Sequence, residues 1–125
     1  MKLVVFSWRD PSHPRAGGSE VYLFNILSRL EGLFDEIICF TSSYPRAKSF
    51  ENQRDIKIYR FSLDYTPPLI TLRSRKILRN LKDMLILENI NHVPFFTPIV
   101  YPKNKIVSII HHIAGSQLYI EDRLS

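Results

Sequence analysis

FSWRDPSHPRAGGSEVY, from Phe6 to Tyr22, is the stretch of sequence that decides the fold. It follows the apolar run at residues 3–6 and precedes apolar residues at helical spacing that start at Val21. The stretch therefore predicts the end of a strand, a long loop, paired glycines and the start of a helix. Glycines at a helix start let the backbone approach a ligand closely, and the free N–H groups there favour an anion.

The first helix is predicted from apolar residues that recur every three positions after the glycines. It starts at Ser19, with Ser19 or Gly18 as its N-cap, and Gly32 is its expected stop. Glu20 falls in the first turn, where a carboxylate either interacts with the dipole of its own helix or binds a ligand. The apolar positions of this helix are Val21, Phe24, Leu27 and Leu30, with Leu23 and Ile26 beside them.

The rest of the chain alternates predicted strands with helices or loops. Apolar or alternating runs predict strands at Lys2–Trp8, Glu36–Thr41, Asp55–Phe61, Met84–Leu87 and Lys105–Ile110. A basic helix is predicted from Pro68 to Asp83, a surface loop at 42–54, a turn-rich segment at 94–101, and a loop with a helix start at 113–125.

This alternation predicts an α/β fold in which helices cover both sides of a mainly parallel sheet. In such sheets ligands bind at the carboxyl ends of the strands. The polar residues that follow predicted strands lie at 9–20, 88–92 and 111–112. We therefore expect these three segments to lie along one rim of the sheet.

Composition predicts one soluble globular domain spanning residues 1–125. The chain is 45% apolar and 23% charged, and no apolar run reaches the ~20 residues that cross a bilayer. The first ten residues lack the apolar core of a signal peptide, so a cytoplasmic protein is expected. The single cysteine, Cys39, falls in a predicted buried strand, where it acts as a small hydrophobe.

The formal net charge of +5 suggests an anionic partner. Nucleotide phosphates and an anionic membrane surface both fit this charge. Nucleic acid is not expected, because no recognised binding module is present and aromatic residues are not interleaved with the cations. The basic helix is interpreted either as a solvated face or as a patch for peripheral contact with a membrane or an anionic acceptor.

Gly17-Gly18 fits neither of the common phosphate-binding fingerprints. The spacing of a Walker loop is absent, and the loop is too long for the glycine turn of a dinucleotide site. Two interpretations remain at this point: a loop that needs positive φ, and an anion site.

Several ordered segments resemble one enzyme family. They are Ser7–Pro11, His13–Tyr22, Phe40–Ser42, Asn89–Pro98 and Ile109–His112. Together they resemble the N-terminal domain of GT-B glycosyltransferases of family 4, which opens with a strand and a Gly-Gly-x-Glu turn. The resemblance spans nearly all of the chain.

The resemblance implies a three-layer, Rossmann-like domain that forms the acceptor side of a retaining glycosyltransferase of the hexosyltransferase type. The reaction moves a sugar from a nucleotide-sugar co-substrate to a hydroxyl of a sugar or lipid-linked acceptor, without a cofactor or metal. The family's donor-binding domain has no counterpart in the 125 residues. A truncated enzyme, or one half of a split enzyme with a second donor-binding domain or chain, is therefore expected.

The resemblance also assigns candidate site residues. Gly17 and Gly18 would supply backbone N–H donors to the donor phosphates, and His111 would hydrogen-bond the transferred sugar, positioning it without acting as a base. Each of the other candidates has an ordinary structural alternative, as a solvated loop charge, a carboxylate that interacts with the dipole of its own helix, or a residue that caps a turn; they are Arg9, Arg15, Glu20 and Asn91. The competing functions are a non-catalytic module that binds an anion or nucleotide-sugar, and an inactive remnant.

Overall fold

The computed structural model describes residues 1–61, 66–78, 83–90, 94–112 and 115–121. Within these ranges, seven strands form one sheet and three helices lie against it. The elements are β1 Lys2–Ser7, α1 Gly18–Leu30, β2 Glu36–Ser42, β3 Phe50–Gln53, β4 Ile56–Phe61, α2 Pro67–Ser74, β5 Met84–Ile90, α3 Thr97–Val100, β6 Lys105–His112 and β7 Gly115–Glu121.

The strand order is β3-β4-β2-β1-β5-β6-β7. The five central strands are parallel, and β3 and β7 pair antiparallel with β4 and β6 at the two edges. The chain builds outward from β1 through β2 to β4 and then returns to the other side of β1 as β5. Open α/β sheets bind ligands at such a change of direction, which here falls at the carboxyl ends of β1 and β5.

Two apolar cores lie on opposite faces of the sheet. Within β1, Leu3 and Val5 belong to one core while Val4 and Phe6 belong to the other, because successive side chains of a strand alternate in direction. Helix α1 covers the first face, and α2 covers the second with Ile70. The predicted three-layer α/β fold with a mainly parallel sheet is confirmed.

The start of α1 differs from the prediction by one residue. Gly17 is the N-cap, with an extended backbone at φ −129°, and the helix begins at Gly18. The hydroxyl of Ser19 donates to the Glu20 carboxylate, 2.6 Å away, so Ser19 does not cap the helix. Gly32 follows the helix end with φ +89°, as expected of a glycine that stops a helix.

Two strands occupy segments where the sequence predicts none. The loop predicted at 42–54 contains β3, whose alternating half-exposed pattern carries too few apolar residues to signal a strand. Pairing with β4 stabilises it, and the Phe50 ring lies 4.8 Å from that of Tyr59. The helix start predicted after residue 113 is also wrong, because β7 follows β6 after two residues, a connection that permits only an antiparallel partner.

The basic helix is shorter than predicted. Helix α2 ends at Ser74 and gives way to turns, in which the N–H of Lys76 donates to the carbonyl of Arg73. The Ser74 hydroxyl donates to the carbonyl of Thr71, 2.6 Å away, and such local side-chain bonds compete with helix continuation. Residues 79–82 of the predicted helix lie outside the described residues. The turn-rich segment at 94–101 contains the short helix α3.

A buried ion pair ties the loop after β1 to the end of β4. Arg60 Nε donates to Asp10 Oδ2 at 2.7 Å, and both side chains are fully buried. Arg60 Nη1 donates to Glu51 of β3 at 2.8 Å and to the carbonyl of Lys48 at 3.1 Å. Burial opposes the charge of Arg60, but the hydrogen bonds to Asp10 and Glu51 outweigh it and raise the pKa of Arg60.

Breaking this pair should be one of the most destabilising single changes in the loop region. In Arg60→Met the Asp10 carboxylate stays buried without its cation, which we expect to lower the free energy of unfolding by about 3–5 kcal/mol. Urea denaturation followed by far-UV circular dichroism measures the loss.

Lys57→Met is the matched control, because it removes a cation from the same strand. Lys57 pairs with Glu36 at the surface, and 41% of its side chain is exposed, so the expected loss is below about 1 kcal/mol. Equal losses in the two variants would contradict a structural role specific to the buried pair.

Candidate functional site

The candidate site lies where β1, β5 and β6 end side by side. Ser7 of β1 is in register with Asn89 of β5, and Asn89 is in register with Ile109 of β6. His111 follows two residues later on the same face of β6, since side chains alternate along a strand. The prediction that polar residues after these strands share one rim is confirmed for the described residues.

A chain of polar side chains crosses the ends of these three strands. His111 Nε2 lies 2.6 Å from Asn89 Oδ1, and Asn89 Nδ2 lies 3.5 Å from the Ser7 hydroxyl. The Ser7 hydroxyl in turn donates to the carbonyl of Arg9 at 2.7 Å. An amide oxygen only accepts, so His111 Nε2 donates, and Nδ1 is the acceptor nitrogen of the neutral ring.

The environment of His111 favours this neutral form. Burial lowers the pKa of His111 below its usual value, and the carboxylate of Glu20 opposes the effect. The ring of Tyr22, from the first turns of α1, meets the His111 ring edge-on with centroids 6.0 Å apart. A neutral, oriented imidazole can position a hydroxyl group by hydrogen bonding without drawing charge from it.

Glu20 belongs to the cap of its own helix. It is buried, with 3% of its surface exposed, and its Oε2 accepts the N–H of Gly17 at 3.1 Å and the hydroxyl of Ser19 at 2.6 Å. Of the two alternatives for Glu20, interaction with its own helix is therefore the one that its contacts support. The bond also occupies the N–H of Gly17, one of the two predicted phosphate donors.

Gly18 keeps the features of a ligand-facing residue. It is the first residue of α1, so its N–H has no acceptor within the helix. It shares a surface concavity of about 460 Å³ with Tyr22 and Arg29. The contact of Tyr22 with His111 makes the helix start and the strand-end cluster parts of one surface.

Neither the backbone conformation nor the packing of the protein requires glycine at positions 17 and 18. Among the described glycines positive φ occurs at Gly32, not at Gly17 or Gly18, so the interpretation of a loop that needs positive φ is wrong. A methyl group built on either Gly17 or Gly18 would meet no atom within 4 Å apart from its chain neighbours and its own helix backbone. The space in front of both residues is open.

Arg9 and Arg15 lie at a different concavity from Gly18. They line a groove of about 450 Å³ between the loop after β1 and the loop after β2. His13 also lines this groove. Asn91 lies outside the described residues, and so does the side chain of His112.

The described residues contain no group of three or more histidine, cysteine, aspartate or glutamate side chains arranged to hold a metal ion. Cys39 is fully buried in β2, and burial raises the pKa of its thiol, which keeps it protonated and unreactive.

Comparison with known proteins gives no match. No protein-family model, no curated protein and no solved structure is similar enough to this chain to be counted as a relative.

Sequence reasoning missed the aromatic residues of the site. Tyr22 follows Gly18 by four positions, and residues at this spacing share a helix face, so the spacing could have found it. Trp8 and Tyr44, which wall the arginine groove, carry no spacing signal, because they come from loops that meet through the sheet.

The titration of His111 tests whether its ring is buried and neutral. We expect its pKa, measured by NMR on the ring protons, to lie below the ordinary 6.5. Tyr22→Ala should admit water to the ring and raise the pKa of His111 toward that value. Tyr44→Ala is the matched control, because the Tyr44 ring contacts His13 and should leave His111 unchanged.

The sign of the pH dependence follows from this shift. Between the folded pKa and about 6.5, the unfolded chain binds a proton at His111 that the folded chain does not. The contribution of His111 to stability therefore falls as the pH drops through this window. A wild-type pKa at or above 6.5 would contradict the buried neutral ring.

Proposed function

We propose that this domain is the acceptor-side domain of a retaining glycosyltransferase, which transfers a hexosyl group from a nucleotide-sugar to an acceptor hydroxyl. The single observation that carries the proposal is the pairing of an open glycine helix start with a fixed, neutral histidine. Gly18 and His111 are joined through Tyr22 at the carboxyl edge of the sheet. The resemblance of the motifs to family 4 supports the same assignment.

The glycine at position 18 supports a phosphate ligand. Neither strain nor crowding inside the protein requires glycine there, so the close approach of an external group supplies the reason. Helix N–H groups and the helix dipole favour an anion at this position. The phosphates of a nucleotide-sugar would accept the N–H of Gly18, while Gly17 would hold the helix cap through Glu20.

His111 would position the transferred sugar. Asn89 fixes the plane and tautomer of its ring, and a neutral imidazole can hydrogen-bond a sugar hydroxyl near the reacting carbon. His111 would position the sugar and would not act as a base. A second domain or chain would hold the nucleotide of the donor.

A non-catalytic binding module and an inactive remnant are the competing functions. The module would bind the same anion but would leave His111 without chemical consequence. The remnant would bind neither nucleotide nor sugar. Binding and turnover therefore separate the three.

Thermal shift with UDP-glucose and GDP-mannose provides the test. We expect one of them to raise the melting temperature of the domain, since a ligand that binds the folded state stabilises it. Gly18→Val should abolish this shift by blocking the phosphates, while its unliganded melting temperature stays near that of the wild type because the side chain enters open space.

Ser28→Val is the control, because it places the same β-branched residue elsewhere in α1 and should keep the shift. His111→Ala should retain binding by the domain alone. With the second, donor-binding domain or chain supplied, it should lower transfer by about 10²-fold, the range for removing one oriented polar group from a reacting centre. Stabilisation that survives Gly18→Val, or no stabilisation by any nucleotide-sugar, would sink the proposal.

We further propose a cytoplasmic location with peripheral contact at an anionic membrane face. Within the described ranges, no helix combines the length and apolar character needed to cross a membrane. On α2, Leu69 and Leu72 are 47% and 58% exposed, and Arg73 lies on the same face. Arg75 lines a concavity together with Ile99 of α3, which is 76% exposed. Exposed apolar residues beside cations suit the headgroup region of an anionic bilayer.

Vesicle co-sedimentation tests this contact. The domain should sediment with vesicles of phosphatidylglycerol and phosphatidylcholine, and the triple variant Arg73→Gln, Arg75→Gln, Lys76→Gln should lose most of that binding, at roughly 1 kcal/mol per cation. Arg29→Gln, Arg46→Gln, Arg54→Gln removes the same charge elsewhere and serves as the control. An equal loss of vesicle binding in both triple variants would show that net charge, and not this patch, determines the binding.

A further inference from the structure

The groove that Arg9 and Arg15 line has the composition of an anion site. Its volume is about 450 Å³, and it lies between the loop after β1 and the loop after β2. No acidic side chain lines it, and every residue that lines it is among those described. The lining residues are Trp8, Arg9, His13, Pro14, Arg15, Ser42, Ser43, Tyr44 and Pro45.

Arg9 is held in a geometry that leaves its donors available. Its guanidinium carbon lies 4.4 Å from the centroid of the Trp8 ring. Stacking uses the face of a guanidinium and leaves the N–H groups at its edge for hydrogen bonding. Trp8 is itself anchored, because its carbonyl accepts the hydroxyls of Thr41 and Ser42.

His13 adds a neutral donor to the two cations. Its Nδ1 accepts the N–H of Arg15 at 3.0 Å, so the proton of the neutral ring lies on Nε2. Burial lowers the pKa of His13, and the positive charge of Arg9 lowers it further, so the neutral form is favoured. The charged groups that act on the ring are Arg9, Asp10, Arg15 and Glu20, and the Tyr44 ring meets it at 5.4 Å.

The wall of the groove is backed by a further cation. The Arg60 guanidinium lies 5.3 Å from the centroid of the Tyr44 ring. Its Nη2 is buried and donates to no acceptor within the described part of the chain. Asp10, the carboxylate nearest in sequence to the groove, is buried and paired with Arg60, so it does not oppose an incoming anion directly.

The size of the groove indicates what carries the anion. Its volume lies in the range of small-molecule sites, about 300–1,000 Å³, and far exceeds that of a phosphate or carboxylate group alone. Trp8 and Tyr44 supply apolar walls, while His13 and Ser43 supply polar contacts for hydroxyl groups. This combination suits a sugar that carries a negative charge.

We propose that the acceptor of this domain is an anionic sugar, bearing a phosphate or a carboxylate that Arg9 and Arg15 bind in this groove. The inference rests on the proposed function, since it names the substrate class of the acceptor side. It also separates two anions: the donor phosphates at Gly18 and the acceptor anion between the two loops.

Isothermal titration calorimetry of the purified domain at low salt tests the inference with four probes: glucose 6-phosphate, glucuronate, glucose and inorganic phosphate. We expect glucose 6-phosphate or glucuronate, or both, to bind at least tenfold more tightly than glucose and than inorganic phosphate. The tighter of the two identifies the anion as phosphate or carboxylate.

Variants assign the binding to the groove. Arg9→Gln and Arg15→Gln should each weaken binding of the anionic sugar by roughly tenfold, because each removes a charge-assisted hydrogen bond. Lys103→Gln, which removes one positive charge near the amino ends of β5 and β6 beside Met84 and Lys105, should leave it unchanged. In the wild type, NMR should show the Trp8 indole shifting and the pKa of His13 rising when the anionic sugar binds, a readout that needs no variant.

Several results would overturn the inference: equal affinity for glucose, equal affinity for inorganic phosphate, or full binding in the Arg9→Gln, Arg15→Gln double variant. The outcome is independent of the donor test. Nucleotide-sugar binding through Gly18 without binding of an anionic sugar would refute this inference and leave the proposed function standing. Binding of an anionic sugar through the arginines without any nucleotide-sugar binding would refute the proposed function and the role of that sugar as an acceptor, and would leave the groove as a site for anionic sugars.

Discussion

The ion pair between Asp10 and Arg60 is the constraint on which the functional edge of this sheet depends. Asp10 lies in the long loop after β1, and Arg60 lies near the end of β4, two strands away in the sheet. Through Glu51 and the carbonyl of Lys48, the same guanidinium also fixes β3 and the loop before it. A loop of ten residues between Ser7 and Gly18 is thereby held at a defined place over the sheet.

Asp10 also organises the loop locally through hydrogen bonds that it accepts from the loop backbone. Its second carboxylate oxygen accepts the N–H of Ser12, and the Asp10 carbonyl accepts the N–H of His13. The loop is therefore a series of short turns built on one buried anion. Pro11 and Pro14 are unfavourable inside a strand or a helix but suit turns, so the sequence of this loop favours the turns that the structure shows.

Much of the fold could be predicted because it is local or periodic. The five parallel strands carry apolar or alternating runs, and α1 carries a clear helical repeat, so pattern alone identifies them. Strand β3 could not be found in this way, because its residues are polar and only pairing with β4 makes it a strand. The end of α2 depends on hydroxyl bonds of Ser74 to Thr71 and Tyr101, which no periodicity reports.

In the candidate site, too, some features follow from local sequence pattern and others depend on tertiary contacts. Gly18 and His111 could be selected from sequence, because their chemistry is tied to a helix start and a strand end. The contact of Tyr22 with His111 and the meeting of Arg9 with Tyr44 across one groove are tertiary facts. So is the use of the Gly17 N–H by Glu20. The sequence therefore predicts individual site residues better than it predicts the residues they contact.

The place of β6 inside the sheet has a consequence for the histidine at its end. Strand β5 pairs with one side of β6 and β7 with the other, and His111 itself is in register with Ser116 of β7. Residues 106–110 are paired on both sides and His111 is paired on the β7 side, and amides held in such a sheet exchange with solvent slowly. The conformational entropy of this segment is lost when the chain folds, so a ligand that meets the imidazole does not have to order it.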